Sequence, residues 1–368
     1  MTKVCHISTV HDPLDVRVFF KECLSLSKHF DVSLVIKQNE KSAVDRVNLI
    51  PIKPFKNKVL RVLFSPFTAF AKARLTKASI YHLHDPELLI IAPLFRLFGD
   101  KVIFDKHENV AGQILSKHWL GPQFVRKAVS KIYEILERFF IGFCNGVVVV
   151  IPEMQEEKGM KNAVLVRNFP SKEAFGNEVK IREGKLKFVY AGGLTPIRGI
   201  KETIDAFVSS EVDAELYLVG KWSSEKFQRE CMDELGNGRV IYKGFIPMQE
   251  VYELYRRTHI GLCLLHPTEN YKWSLPVKVF EYYFAGMHVL MSNIEYWKNE
   301  FSDRADYADP FSHEELVGTF KRLESEYKVT GKFEDRSEWA KQNYSWESEF
   351  EKLLALYNSL LNSEQIEN

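Results

Sequence analysis

The stretch FVYAGGLTPIRGIKETIDAFV, residues 188–208, decides the fold. Phe188–Ala191 is a short apolar run of the kind that suits a buried strand, and Lys201–Val208 spaces its apolar residues as a helix does. Gly192 and Gly193 turn the chain between them, and Pro196 stands at the approach to the helix. A strand, a glycine turn and a helix in that order make half of a parallel crossover unit.

The same succession continues in both directions. Downstream, strand-like runs fall at Glu215–Val219, Val240–Tyr242, Ile260–Leu264 and His288–Met291. Helical patterns separate them at Glu225–Leu235, Met248–Arg257, Val277–Phe284 and Ser312–Tyr327. Upstream, strands are expected at Val4–Ser8, Val32–Ile36, Ile80–His84, Val102–Asp105 and Gly146–Ile151, with helices at Val18–His29, Leu88–Phe98 and Phe124–Phe143. Val147–Ile151 is apolar without alternation, as strands of a parallel sheet covered on both faces are. The turn-rich Asn168–Phe169–Pro170–Ser171 interrupts the series, and 368 residues suit two domains of roughly 150 each. The expected architecture is therefore α/β: two doubly wound domains, hinged at Val166–Pro170, with an amphipathic helix at Ser345–Leu361 closing the chain. In such sheets ligands bind beyond the carboxyl ends of the strands.

Lys and Arg number 50 against 49 Asp and Glu, a net charge of +1 that argues against a nucleic-acid coat or an acidic tail. The balance hides an asymmetry. Residues 1–168 carry 25 basic and 16 acidic side chains, whereas 169–368 carry 25 and 33. The five cysteines are scattered, odd in number and without a C-x-x-C pair, as buried thiols of a reducing compartment are. Met1–Thr2–Lys3 runs straight into a strand-like segment, and the apolar tracts Leu88–Gly99 and Phe139–Ile151 fall short of the ~20 residues of a membrane span. A cytoplasmic protein is expected.

Two stretches carry chemistry. After the first strand of the second domain, Gly192 and Gly193 let the backbone approach a phosphate, the following helix offers free N–H groups, and Arg198 can pair with oxyanions bidentately. An ordinary turn with a surface arginine is the plain alternative, and the stretch matches neither G-x-G-x-x-G nor a Walker loop. Near residue 280, Ser274–Leu275–Pro276–Val277–Lys278 leads into a helix whose first turn suits Pro276. Lys278 lies in that turn, where it can meet a diphosphate. Glu281, three residues on and on the same face, can accept two hydrogen bonds from a ribose diol. The plain alternative here is a surface ion pair worth a few tenths of a kcal/mol.

Together these motifs carry a resemblance. Gly192–Gly193–Leu194 with Arg198–Gly199, Gly244–Phe245–Ile246–Pro247, and Pro276-x-Lys278-x-x-Glu281–Tyr282 with Gly286 resemble the donor domain of GT4 glycosyltransferases. The N-terminal phrases Cys5–His6–Ile7–Ser8–Thr9, Asp15-x-Arg17 with Lys21–Glu22, His82-x-His84–Asp85–Pro86–Glu87 and Asp105-x-His107–Glu108 resemble bacterial surface-polysaccharide members of that family. The resemblance spans essentially the whole chain. It implies a GT-B fold, in which two Rossmann-like domains face each other across a cleft and the closing helix returns to the first domain. The domains would then be 1–167 plus 346–368, binding acceptor, and 168–345, binding nucleotide sugar. It further implies retaining transfer of a sugar from a nucleotide-diphosphate donor, without a metal or other cofactor. Gly192, Gly193, Arg198, Gly244, Phe245, Ile246, Ser274, Leu275, Lys278 and Glu281 would hold the donor, with Gly244–Ile246 at the base. His107 would orient the donor sugar, while Thr9, His11, Arg17, His84 and Asp85 would meet the acceptor.

The sequence departs from the family pattern twice. The first Glu of the E-x7-E signature is replaced by Trp273, so Glu269 or Asn270 is expected to take over sugar contacts. The usual Gly-Arg-Leu turn has Gly193 in place of its arginine, leaving Arg198 and Lys278 as the diphosphate cations. His82 and His84 invite a metal reading, but the sequence offers them no third well-placed ligand, so none is expected.

The first domain also carries unusual cationic stretches. Between Asp45 and Asp85 there is no acidic residue but there are eight basic ones, interleaved with Phe55, Leu60, Leu63, Phe64, Phe67 and Phe70. Lys117, Arg126, Lys127 and Lys131 recur beside Trp119 and Phe124. Such segments suit an anionic membrane surface, so residues 46–77 and 117–131 are expected to touch the inner face of the cell membrane and to serve a lipid-linked saccharide acceptor. No nucleic-acid motif accompanies them. A nucleotide-sugar 2-epimerase and a non-catalytic nucleotide-sugar-binding partner remain alternatives. An NAD enzyme fits less well, because Val4–Asp12 has no glycine fingerprint.

Overall fold

Runs of apolar and β-branched residues form the strands, and the more polar segments between them cross over the sheet faces. The computed structural model describes residues 1–55, 57–107, 109–157, 160, 162–176, 182–232, 238–268, 271 and 274–362. The chain forms two units: Met1–Asn168 together with the chain from Trp346, and Phe169–Ser345.

The first unit holds β1 (Lys3–Ile7), β2 (Asp31–Lys37), β3 (Ser42–Val44), β4 (Val47–Ile52), β5 (Ile80–Leu83), β6 (Lys101–Lys106), β7 (Gly146–Val149) and β8 (Ala163–Leu165). Their order is β3-β4-β2-β1-β5-β6-β7-β8, parallel except for the β3–β4 hairpin. The order reverses between β1 and β5, the place where such sheets bind ligands. One face is covered by the 58–74 and 123–141 helices and the segment Pro86–Ile91. The other is covered by the 16–26 segment and by the closing helix, Trp346–Asn362. Trp346, Phe350, Leu353, Leu356, Tyr357 and Leu360 pack with Val4, Val32 and Val148 there, while Glu349 accepts a hydrogen bond from the Arg167 amide at 2.9 Å.

The second unit holds β9 (Leu186–Ala191), β10 (Ala214–Val219), β11 (Val240–Tyr242), β12 (Ile260–Cys263), β13 (His288–Ser292) and β14 (Asp306–Ala308), all parallel in the order β11-β10-β9-β12-β13-β14. Its reversal lies between β9 and β12. Two apolar cores flank this sheet, one rich in aromatics around Tyr282, Trp297 and Phe301, the other around Phe188, Phe207 and Phe320.

Several elements differ from the expectation. Val16–Cys23 is a wide π-type helix followed by a single α turn, Leu24–Leu26. The wider turn puts Arg17, Lys21 and Glu22 all on the buried side, where an ordinary helical pattern of apolar residues would not place them. The short β3, β8 and β14 and the helices Glu295–Phe301 and Ser337–Asn343 lack a run long enough to announce themselves. The cysteines form no disulfide, and burial pushes the Cys5 and Cys144 thiols up to about 12. No helix among the described residues is long and apolar enough to cross a membrane.

Candidate functional site

In the second unit the carboxyl ends of β9, β10 and β12 build one polar floor. Leaving β9, Gly192 adopts φ +145°, and a methyl group there would lie 2.9 Å from Lys278 Nζ, 3.2 Å from an Arg198 guanidinium nitrogen and 3.2 Å from Tyr190 Oη. The two cationic nitrogens are therefore within about 6 Å of each other, over a residue that has no side chain to fill the space. The 3-10 turn Pro196–Arg198 is held against the loop after β12, because the His266 amide donates to Ile197 O at 3.0 Å. Arg198 donates to Tyr190 Oη at 3.3 Å and also bonds the Tyr271 hydroxyl. Burial disfavours its charge, but Tyr190, Tyr271 and Cys263 together outweigh this and its pKa is raised.

Lys278 lies in the first turn of the helix Val277–Phe284, which follows the N-cap Pro276. Its Nζ is 3.7 Å from the centroid of the Tyr190 ring and is buried without a hydrogen-bond partner among the described residues. A buried ammonium with unmet donors is costly unless an anion joins it. Glu281 follows one turn later on the same helix, 8 % exposed, and its charge adds to the burial that pushes the Tyr252 and Tyr255 hydroxyls up. Ser274 accepts a hydrogen bond from Trp297 Nε1 at 2.8 Å through its carbonyl, and Leu275 packs on the aromatic core.

Beside this floor, the Gly220 amide at the end of β10 donates to Gly244 O at 2.8 Å, bringing the Gly244–Ile246 loop alongside. Phe245 is 69 % exposed, with Lys221 Nζ 4.5 Å from its ring centroid, and Ile246 packs inward. Gly193 accepts from Tyr190 Oη at 3.1 Å. Glu269, Asn270 and Trp273 lie outside the described residues.

In the first unit a polar network fills the corresponding place. Parallel pairing puts His6 of β1 beside His82 of β5, and His84 continues the same face. Arg17 grips Asp105 with Nε at 2.9 Å and a terminal nitrogen at 2.8 Å, and approaches Glu22 at 3.2 Å. Asp85 accepts from the Thr9 and Val10 amides and from Ser8 Oγ, and pairs with His11 at 3.1 Å. Thr9 Oγ1 also donates to Glu87 at 3.0 Å. Burial would raise the Asp105 pKa, but Arg17 and His107 hold it well below the carboxylate range. Burial would likewise lower His11 and His107, yet their carboxylate partners Asp85 and Asp105 raise both.

His107 stands at the carboxyl end of β6, with Nδ1 3.2 Å from Asp105 O and 3.3 Å from its carboxylate. The His11 ring is 5.2 Å away, so these two imidazoles stand together. Thr9, Arg17, His84 and Asp85 are at most 6 % exposed and are engaged with one another and with Asp105; His11 is the more open of the acceptor-side residues. The expectation that His82 and His84 lack further ligand-type neighbours does not hold. His6 and Glu22 stand with them, their ligand atoms all within 4.8 Å of one another. His6 was legible only through strand pairing, and Glu22 only through the wide turn.

Two parallel, doubly wound sheets with a closing helix returned to the first unit make this a GT-B fold. Residues 171–346, almost the whole second unit, match the family described as Glycosyl transferases group 1. No curated protein sequence matches the chain. Among solved structures it resembles the sucrose-phosphate synthase of Thermosynechococcus elongatus, at 13% identity and a TM-score of 0.75 over 99% of this chain and 100% of that one. A glycosyltransferase from Rickettsia africae aligns at 12% identity and TM-score 0.69, covering 98% of each chain. Anabaena HepE, solved with UDP and glucose, aligns at 12% and 0.66, over 98% of this chain and all of that one. At these identities the structural likeness establishes the fold.

Proposed function

We propose that this chain is a GT4-type retaining, metal-independent glycosyltransferase that moves a sugar from a nucleotide-diphosphate donor to a lipid-linked saccharide in cell-surface polysaccharide synthesis. One observation carries the donor side: Arg198 and Lys278 converge over Gly192 at the switch point of a glycosyl transferases group 1 domain, with Lys278 Nζ buried and unbonded among the described residues. Two cations and a helix start at one spot suit a diphosphate, and they would neutralise the charge growing on the leaving group. Glu281 would take the ribose and the Gly244–Ile246 backbone the base. His107 would orient the sugar, and His11 and Thr9 would meet the acceptor with Arg17, His84 and Asp85 bracing them from beneath.

The acceptor side rests on two helices of the first unit that are built inside out. In Lys58–Arg74 small Ser65, Ala69 and Ala73 are buried and Phe70 packs against Phe95, whereas Leu60, Leu63, Phe64 and Phe67, spaced as one stripe, are 45–55 % exposed. In Gln123–Ile141, Ser130, Glu137 and the terminal Ile141 face inward while Ile132, Ile135, Leu136 and Phe139 are exposed. Both helices flank Pro86–Ile91, whose Ile90 is exposed too. Exposed apolar side chains on helices that also carry Arg61, Lys72, Arg126, Lys127 and Lys131 suit an anionic bilayer at the inner face of the membrane.

Thermal unfolding in the presence of UDP, GDP and ADP tests the donor reading. One nucleoside diphosphate should raise the midpoint, and Arg198→Ala should weaken that binding at least about tenfold, some 1.4 kcal/mol. A wild-type chain indifferent to every nucleotide and nucleotide sugar would remove the proposal. Donor turnover without acceptor would favour an epimerase instead, and donor binding without any turnover a binding partner.

A further inference from the structure

His6, His82, His84 and Tyr357 are fully buried under the carboxyl end of the first sheet and linked in a line. His82 Nδ1 lies 2.9 Å from Tyr357 Oη, Tyr357 Oη 3.1 Å from His6 Nε2, His6 Nδ1 2.8 Å from His84 Nε2, and His84 Nδ1 3.2 Å from Asp105 Oδ2. The direction of every bond follows from one end. Asp105, gripped by Arg17, is ionised and can only accept, so His84 Nδ1 carries a proton. A neutral imidazole has one N–H, so His84 Nε2 accepts and His6 Nδ1 donates. His6 Nε2 then accepts from the Tyr357 hydroxyl, whose oxygen accepts from His82 Nδ1. The line closes with every ring neutral and its proton on Nδ1. Neutrality agrees with burial and the neighbouring imidazoles, which hold His6 and His82 well below the ordinary histidine range, and with the lowered His84.

We propose that Tyr357 of the closing helix, His6 and His84 form a one-directional, uncharged relay of positioning residues that fixes the Asp105 carboxylate and through it His107. Asp105 Oδ2 sits between two imidazoles, His84 Nδ1 at 3.2 Å and His107 Nδ1 at 3.3 Å. Arg17 holds both oxygens of the carboxylate, and His84 is the further donor that keeps Oδ2 aligned beside His107; without it Oδ2 can shift away, and His107 loses part of the anion that favours its charge. The groups facing His107 are Asp105, Arg17, His11 and His84. That His107 serves glycosyl transfer rests on the reading above; the relay itself does not.

A divalent cation among His6, Glu22, His82 and His84 is the rival account. Two features weigh against it. Burial and the neighbouring Asp105 push the Glu22 carboxyl well above the ordinary range, so it is a poor anionic ligand, and the 2.8 Å His6–His84 contact needs a proton that an ion would displace.

Two-bond 1H–15N spectra of the full, histidine-labelled chain from about pH 5 to 8 test the relay without substrate. Expected are three rings with Nδ1–H signatures that do not titrate, alongside His107 and His11 that do. An Nε2–H tautomer at His6 or His84, titration of any of the three in this window, or one equivalent of zinc bound with loss of the Nδ1 pattern each overturns it. Positioning is read from His107: its midpoint should fall in His84→Ala and stay in His84→Asn, which keeps a donor near the Nδ1 position. Equal midpoints in all three proteins overturn it. Should His84→Ala fail to fold, Tyr357→Phe gives the second reading: His6 should keep its Nδ1–H, because His84 Nε2 still accepts from it, while His82, which loses the oxygen its Nδ1 donates to, should mix its tautomers; a His6 that switches to Nε2–H or an unchanged His82 overturns the relay. Nucleotide binding is measured separately, so either reading can fail alone.

Discussion

Lys278, proposed to meet the diphosphate, sits where its charge should weaken the empty protein. Its Nζ is buried over the Tyr190 ring, unbonded among the described residues, with the Arg198 guanidinium close by. The aromatic face offsets part of the desolvation, but a like charge within about 6 Å adds to it. Lys278→Met keeps most of the side-chain bulk and removes the charge. It should raise the melting temperature of the unliganded chain, by about 1 kcal/mol of stability, while cutting nucleoside-diphosphate affinity at least about tenfold. Calorimetry of the free protein and titration with the nucleotide check both halves, and a variant that is less stable yet binds equally well would show Lys278 to be structural. Arg198 and Lys278 were legible in the sequence because their helix and turn positions are local properties. His6 and Glu22 were not, since nothing local says that His6 will lie beside His82 or that residues 16–23 will wind wide enough to bury Glu22 with Arg17.

At the level of elements, the strands divide along their length. On one face of the first sheet, Val4, Ile80 and Ile103 lie in the apolar core, while His6, His82 and Asp105, two residues further on, are buried and polar. The short apolar runs were readable; the change from apolar to polar along them, and the reversal points between β1 and β5 and between β9 and β12, emerge only when the strands are paired. Close pairing makes Gly220 a second constraint. It adopts φ +139°, and a methyl group there would stand 1.8 Å from Gly192 O, a backbone atom that cannot step aside. Gly220→Ala should therefore separate the ends of β9 and β10, costing about 3 kcal/mol and roughly 6–12 °C in melting temperature, and weaken the nucleotide with it. Gly318→Ala is the matched control: it lies in the helix His313–Thr330 with nothing within 4 Å of the added methyl, so it should be neutral or stabilise slightly. Equal effects from the two substitutions would mean that the strand ends tolerate a side chain.

Over the whole chain, charge and apolar exposure are both uneven, and in the same place. The excess of cations falls before residue 169. Of the twenty-seven strongly exposed large apolar side chains among the described residues, seventeen fall between Leu60 and Phe139. Scattered exposure is ordinary, but two helices packed on the same segment, Pro86–Ile91, that each leave several large apolar side chains exposed are not economically explained by folding alone. The proposed anionic bilayer would answer both features, since apolar stripes can enter the headgroup boundary while each cation near the surface adds ~1 kcal/mol. The chain should accordingly sediment with vesicles containing phosphatidylglycerol, and less with purely zwitterionic ones. Salt should weaken the binding without abolishing it, because the apolar part is not screened. Leu63→Ser, Phe67→Ser and Ile135→Ser together should release the protein while leaving nucleotide binding intact, because all three side chains are exposed and none belongs to the second unit. Retention of the triple variant on vesicles would assign the attraction to charge alone. A soluble dimer that the triple variant dissolves, with no vesicle binding by the wild type, would give the face to a second copy of the chain instead.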